Sequence, residues 1–276
     1  MKAFNAKTAY VYGGSSGIGL AIAERLAAAG ARVVLLARDT ARLSAACKRV
    51  AAHSRAPGRG CESLSVDVTD AGSVSSAAAE AHSTFGPPDI LVNSAGQGMA
   101  AHIDDIDEAA FDHMIRLNLF GTRHTVMAHL PVLKRGAHIL NVSSVAGFLG
   151  VFGFSAYCAA KFGVMGFSEA LRAELRPRGM GVSVLCPPDT DTPGFHLENR
   201  TKPLETRAVS GRGGLLTADT VAKCALKGIQ AGRFVIVPGV DGTLTYWVSR
   251  VLPALVFRIM DADARRAVRP HNREVP

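Results

Sequence analysis

Short runs of apolar, β-branched residues alternate along the chain with longer Ala-rich stretches whose apolar positions recur at helical spacing. The runs predict strands at Thr8–Tyr12, Arg32–Ala37, Glu62–Asp67, Ile90–Asn93, His138–Ser143, Gly181–Cys186 and Phe234–Val237. The stretches between them predict helices at Gly17–Ala29, Ala41–Ala52, Ser73–Ser83, Ala109–His129, Ala156–Arg176 and Asp219–Ala231. Strands that are apolar nearly throughout need cover on both faces, so the alternation reads as an α/β, doubly wound parallel sheet with helices on each side. No Pro/Gly/Ser-rich linker divides it. Residues 1–243 therefore read as one domain, which includes an irregular, Pro-rich segment from Pro187 to Gly214. Residues 244–276 read as an amphipathic, basic C-terminal extension.

Composition narrows the class. Of 276 residues, 48% are hydrophobic and 20% charged, which excludes a disordered or fibrous chain. Lys and Arg exceed Asp and Glu by 31 to 23, a formal charge of +8. The basic residues are scattered and there is one Trp and four Tyr, so a nucleic-acid partner is not expected. An anionic phosphate, on a cofactor or a membrane surface, suits the same charge. Cys47, Cys61, Cys158, Cys186 and Cys224 are far apart in sequence and form no C-x-x-C pair, so neither a metal site nor a disulfide framework is expected. With no signal-like apolar run in the first residues, the expected compartment is the reducing cytoplasm. The nearest approach to a spanning segment, Leu244 to Met260, is interrupted by Arg250, Pro253 and Arg258.

The first strand runs into Gly13-Gly14-Ser15-Ser16-Gly17-Ile18-Gly19 and then directly into a helix. Glycines let the backbone approach a phosphate closely, and the helix aims free N–H groups and its positive end at it. This G-x-x-x-G-x-G spacing resembles the short-chain dehydrogenase/reductase family, with Tyr12 where most members carry Thr. The resemblance implies a Rossmann-type sheet of seven parallel strands in the order 3-2-1-4-5-6-7, and a homodimer or homotetramer. It also implies a nicotinamide cofactor held by Gly13, Ser15, Ser16, Gly17, Ile18 and Gly19. Ala37 stands where NAD-binding members carry an acid for the ribose hydroxyls. The next residue, Arg38, offers a guanidinium for a 2′-phosphate, so NADPH/NADP is the expected cofactor. Asp67 and Val68 fall at the family's adenine contact. Asn93-Ser94-Ala95-Gly96 resembles its N-N-A-G, which adds Asn93, Ala95 and Gly96 to the cofactor set.

Tyr157 and Lys161 lie four positions apart at the start of a predicted helix and share one face. A phenol is a poor proton donor or acceptor at neutral pH, and a neighbouring ammonium lowers its pKa toward the working range. Such a pair serves carbonyl reduction, the phenol giving its proton to the ketone oxygen. In the family a serine 13 positions upstream of the tyrosine, here Ser144, hydrogen-bonds the reacting carbonyl. Ser143 would be its structural neighbour, and Asn118 matches the helix asparagine of a water relay to the lysine. Tyr157 and Lys161 also contact the cofactor in the family, as do residues at the positions of Pro187 and Thr192.

The segment Pro187 to Arg207, with Phe152-Gly153-Phe154, resembles the sphingoid-base branch of the family, whose members reduce 3-ketosphinganine with NADPH. That implies a lipid-like ketone as substrate. Glu198, Glu205, Asp189 and Asp191 offer carboxylates to its ammonium, and Phe152, Phe154, Phe195 and Leu197 offer apolar contact. A 3-ketoacyl thioester, a steroid-like ketone or a non-catalytic NADP(H)-sensing role stay open as alternatives. From Leu244 on, aromatic and aliphatic residues precede Arg265, Arg266 and Arg269. The pattern suits peripheral contact of residues 244–269 with the inner membrane face, and equally a helix that packs on another subunit or roofs the substrate cavity.

Overall fold

Strand β1 (Thr8–Tyr12) sends Ala9 and Val11 into one core and Tyr10 and Tyr12 into another, because successive side chains leave opposite faces. The same division runs across a sheet of seven parallel strands in this computed structural model, which describes residues 4–55, 60–210 and 214–268. The other strands are β2 (Arg32–Ala37), β3 (Cys61–Ser65), β4 (Ile90–Asn93), β5 (His138–Val142), β6 (Gly181–Leu185), β7 (Thr190–Asp191), β8 (Leu216–Thr217) and β9 (Val235–Ile236). The sheet order is β3-β2-β1-β4-β5-β6-β9, while β7 and β8 pair separately. One face is covered by α1 (Gly17–Ala28), α2 (Thr40–His53) and α9 (Ala218–Gln230), through residues such as Ile22, Leu43 and Val221. The other is covered by α3 (Ala71–Phe85), α5 (Gly121–His129) and α6 (Ser155–Leu175), and α4 (Glu108–Ile115) packs against α6. Asp39, Asp70 and Asp107 cap α2, α3 and α4 by accepting from free backbone N–H groups of the first turn.

Four features depart from the sequence expectation. β3 ends at Ser65 rather than Asp67, and its Glu62, Ser63 and Ser65 are exposed because it is the sheet's edge. The helix predicted over Ala109–His129 is divided by a π turn at Arg116–Phe120, which opens around Asn118. The segment from Pro187 is not irregular: it contains β7, α7 (Pro193–Glu198) and α8 (Leu204–Ser210). Finally, α10 (Val240–Val251) begins before residue 244, so the expected boundary falls inside a helix, and α11 (Pro253–Val268) packs against α8. Arg269 and the tail after it, with residues 211–213 of the substrate segment, lie outside the described residues. No described helix is long and apolar enough to cross a membrane.

Beneath the sheet the Tyr12 hydroxyl lies 2.9 Å from His129 Nε2, and His129 Nδ1 lies 2.7 Å from His82 Nε2. Burial, reinforced by His82, holds the His129 imidazole down to about 3, so it is neutral in the folded protein. An unfolded histidine takes up its proton near 6.5, and the unfolded state therefore binds more protons below that pH. Stability from His129 is complete above pH 6.5 and is lost as pH falls toward 3. Between pH 7.5 and 5 the expected loss from this residue is about 2 kcal/mol, read by urea unfolding at each pH. A flat profile over that interval would contradict a neutral buried His129.

Candidate active site

The turn between β1 and α1 fits closely under the loop after β4. A Cβ at Gly13 would meet the Ala95 backbone nitrogen at 2.5 Å, and Gly13 has φ +75°. Gly17, at φ +55°, leaves room for the Thr192 methyl, which a Cβ would approach to 3.2 Å. Ser16 makes no side-chain cap and α1 has no acid in its first turn, so its N–H groups and positive end are available to an anion. Above this turn opens a cavity of about 690 Å³ that passes the C-terminal ends of the strands. This cradle of glycine backbone and helix N-terminus fits the pyrophosphate of a dinucleotide.

Most expected cofactor residues meet at the cavity wall: Gly13, Ser15, Ser16, Gly17 and Ile18 from the turn, Arg38 and Val68 from the next loops. Ala95 and Gly96 follow β4, and Pro187 and Thr192 come from the segment after β6. Three expected contacts are not part of that wall. Gly19 packs beneath Gly13, whose carbonyl a side chain at position 19 would strike. Asp67 turns its carboxylate to Thr69, accepting from the backbone N–H at 2.9 Å and the hydroxyl at 2.8 Å. Burial raises the Asp67 carboxyl, but those bonds and the Arg38 and His113 charges bring it below its ordinary value. Asn93 is buried and donates to Asn141 Oδ1 at 2.8 Å, and Asn141 donates in turn to Ser168. It ties β4 to β5 and α6.

At the adenosine end the sequence missed Arg42, which lines the cavity with Arg38 and Asp39. The Asp39 carboxylate is committed to capping α2, accepting from the Arg42 N–H at 2.9 Å, and lies 3.3 Å from Arg42 Nε. Two guanidinium groups thus line this end of the cavity, while Asp39 and Asp67 are engaged by Arg42 and Thr69, an arrangement that suits a 2′-phosphate. Arg38→Ala is expected to weaken NADPH binding by ~10–150-fold, the equivalent of ~1.5–3 kcal/mol for a charge-assisted contact, and to leave NADH nearly unchanged. Fluorescence titration of both cofactors reads this, and equal weakening of both would remove Arg38 as a phosphate reader.

The reacting end gathers Ser144, Tyr157 and Lys161 on the cavity wall. Ser144 follows β5, accepts from the Ala146 N–H at 3.1 Å and lies within hydrogen-bonding reach of the Tyr157 phenol. Lys161 is 4% exposed and donates to the Val142 carbonyl at 3.0 Å, with its Nζ 5.6 Å from the Tyr157 ring centroid. Ser143 holds the helix bearing Lys161 by donating to the Lys161 carbonyl at 3.0 Å. Burial brings the Lys161 ammonium down to about 8, which leaves it charged at neutral pH. The sequence expectation of a lowered Tyr157 phenol is not met in this structure, where the net direction is upward. Burial first, then the Glu198 carboxylate, push the phenol well above its usual range, against the Ser144 hydrogen bond. A phenol so placed stays protonated and is set to donate.

Asn118 does not line the cavity. Its Oδ1 accepts from the Gln97 N–H at 3.2 Å, and its Nδ2 lies 3.1 Å from the carbonyls of Gln97 and Met114. The amide thereby clamps the loop after β4 and sets Gly96 beside Lys161, where a Cβ would come within 3.3 Å of Nζ. Of the four acids expected near the substrate, Glu198 and Asp189 face the cavity. Asp191 lies 2.7 Å from His196 Nε2, and Glu205 lies 3.8 Å from His102 Nε2, so both are turned to other partners. Phe154 and Phe195 line the cavity, whereas Phe152 and Leu197 are exposed. The far wall, not foreseen residue by residue, is built by Val209 of α8, Val248 of α10 and Val256, Ile259 and Met260 of α11.

This fold, with a glycine cradle and a Ser–Tyr–Lys set at the strand ends, defines an oxidoreductase that acts on CH–OH/C=O with a nicotinamide cofactor. The short chain dehydrogenase family model matches residues 7–203, and the chain belongs to that family. It is 39% identical over 235 residues to the 3-ketodihydrosphingosine reductase of Bos taurus, covering 84% of this chain and 71% of that one. The 3-dehydrosphinganine reductase TSC10B of Arabidopsis thaliana is 38% identical, over 82% of this chain and 68% of that one. A short-chain dehydrogenase/reductase from Burkholderia phymatum, solved in complex with NAD, superposes with a TM-score of 0.76 at 27% identity, covering 96% of this chain and 97% of that one.

Proposed function

We propose that this chain reduces 3-ketosphinganine, a long-chain ketone with an ammonium on the neighbouring carbon, to the secondary alcohol with NADPH. The names of the two curated relatives support the substrate, and one observation in this chain carries the reading. Lys202, 2% exposed, places its Nζ 3.0 Å from Glu198 Oε1 and 3.8 Å from Asp189 Oδ2. Two carboxylates share one ammonium, which leaves a net negative charge beside Tyr157. Burial raises both acids from their ordinary values, while Lys202 opposes the rise. A cationic head group supplies the missing positive charge. Glu198 reaches its place because residue 98 is glycine: a Cβ there would collide with Glu198 Oε2.

The remaining residues divide the work. Tyr157 donates its proton to the ketone oxygen, Ser144 orients that oxygen, and the Lys161 ammonium stabilises the phenolate left behind. The chemistry a bound reduced nicotinamide supplies is a hydride for the carbonyl carbon. Phe154 and Phe195, with the α8 and α11 side chains, form the apolar wall for the alkyl tail, where each buried methylene contributes ~0.8 kcal/mol. The test compares kcat/KM for 3-ketosphinganine with that for a short 3-ketoacyl thioester. A preference of at least ~10²-fold for the sphingoid ketone is expected, and equal rates would overturn the lipid reading.

The same reading includes an anionic membrane as partner. Leu244, Trp247, Val251, Leu252, Leu255 and Phe257 are exposed on α10, α11 and the residue between them, beside the cavity wall, with Arg250 and Arg258 among them and Arg265 and Arg266 following. The protein is expected to sediment with anionic vesicles more than with neutral ones, and less at high salt. No association with anionic vesicles at low salt would leave these helices as cavity wall alone.

A further inference from the structure

The cysteines that are far apart in sequence are not all apart in space. Cys47 lies on α2 and Cys61 opens β3, 14 positions on, and their Sγ atoms are 2.7 Å apart. Both are half-buried and both pack against the same core as Leu43 and Val50. The contact brings a helix and the sheet's edge strand together at one pair of sulfurs. Cys158 and Cys186, by contrast, are buried elsewhere, and Cys224 lies on α9.

From this juxtaposition we infer that Cys47 and Cys61 are a reversible dithiol–disulfide pair that staples α2 to the edge of the sheet. A small-molecule disulfide such as oxidised glutathione is the oxidant. The Cys47 thiolate attacks one sulfur of that disulfide, its S–S bond breaks, and the first small thiol leaves with a proton from solvent. Cys61 then loses its proton and attacks Cys47 Sγ, which expels the second small thiol. Two protein thiols are oxidised and one small disulfide is reduced to two thiols. The hydrogen bond the sulfurs share favours Cys47 as the attacking partner: it lowers the Cys47 thiol and raises that of Cys61.

The staple has a defined place in the fold. Cys47 is five positions beyond Arg42 on the same helix, and β3 lies beside β2, which delivers Arg38 to the cavity. Closing the bond restrains the unfolded chain and fixes the outer edge of the nucleotide half.

The test equilibrates the purified full-length protein with increasing ratios of oxidised to reduced glutathione. Thiol titration, peptide mass mapping and thermal unfolding are then measured on the same samples. Two of the five thiols are expected to disappear together, with a cross-linked peptide that joins Cys47 to Cys61. The thermal midpoint should rise by at least ~4 °C and return on reduction. Cys47→Ser and Cys61→Ser should each abolish both the cross-link and the shift, and Cys224→Ser neither. Mapping of the wild-type protein stands even if one of the serine variants fails to fold. Persistence of all five thiols under strongly oxidising ratios, stable mixed disulfides at either position, or a cross-link without a thermal shift would each overturn the inference.

Discussion

Tyr157→Phe is expected to lower kcat for ketone reduction by at least ~10²-fold while cofactor affinity stays close to that of the unaltered protein. Burial and the Glu198 carboxylate raise the phenol, so it carries the proton that the ketone oxygen takes. Phenylalanine keeps the ring packed beside Phe154 but has no proton to give. Lys161 retains its hydrogen bond to Val142 in the variant, so the cofactor side of the cavity is undisturbed. Steady-state rates alongside fluorescence titration separate the two quantities. Near-normal turnover would remove Tyr157 from the proton transfer, and a matching loss of cofactor affinity would recast it as a binding residue.

Glu198→Gln is expected to lower kcat/KM for 3-ketosphinganine by at least ~10²-fold, about 2.7 kcal/mol of transition-state discrimination, and to leave a neutral ketone nearly unaffected. The amide keeps the size of the side chain but removes the surplus negative charge, which leaves Asp189 and Lys202 as a balanced pair. A cationic head group then enters a site with nothing to neutralise it. A neutral ketone loses no partner, and the phenol beside it is relieved of one charge that holds its proton back. Thermal unfolding establishes that the variant is folded. Equal loss for the cationic and neutral substrates would mean that Glu198 serves structure rather than charge selection.

Strands that are apolar nearly throughout announce themselves, and β1, β2 and β4 begin and end where the sequence places them. The edge strand β3 does not, because Glu62, Ser63 and Ser65 face solvent and carry no burial pattern. The π turn at Asn118 was hidden for another reason. It carries a side chain bonded to the Gln97 backbone, 21 positions away, and helical periodicity contains no trace of that pairing. Gly13, Gly17, Ser144, Tyr157 and Lys161 reach the cavity wall where their motifs place them, because fixed short spacings within one or two elements set their positions. Asp67 and Asn93 sit in the right motifs yet turn their side chains to Thr69 and Asn141. Glu198 and Glu205 could not be ranked from sequence. What separates them is that Glu205 faces His102 while Glu198 faces the cavity, a distinction made by the fold of α7 and α8.

Gly98 gives that distinction an unexpected keeper. The residue carries no charge and performs no chemistry, yet Glu198 occupies its place only because position 98 projects nothing. One added methyl group there would force the Glu198 carboxylate to shift from its present place. Preference for an amino ketone over a neutral one is thus held by an absence, on a different loop from the residue that expresses it. Among descendants of this chain, a change at the Gly98 codon would act on the same charge preference as a change at Glu198 itself.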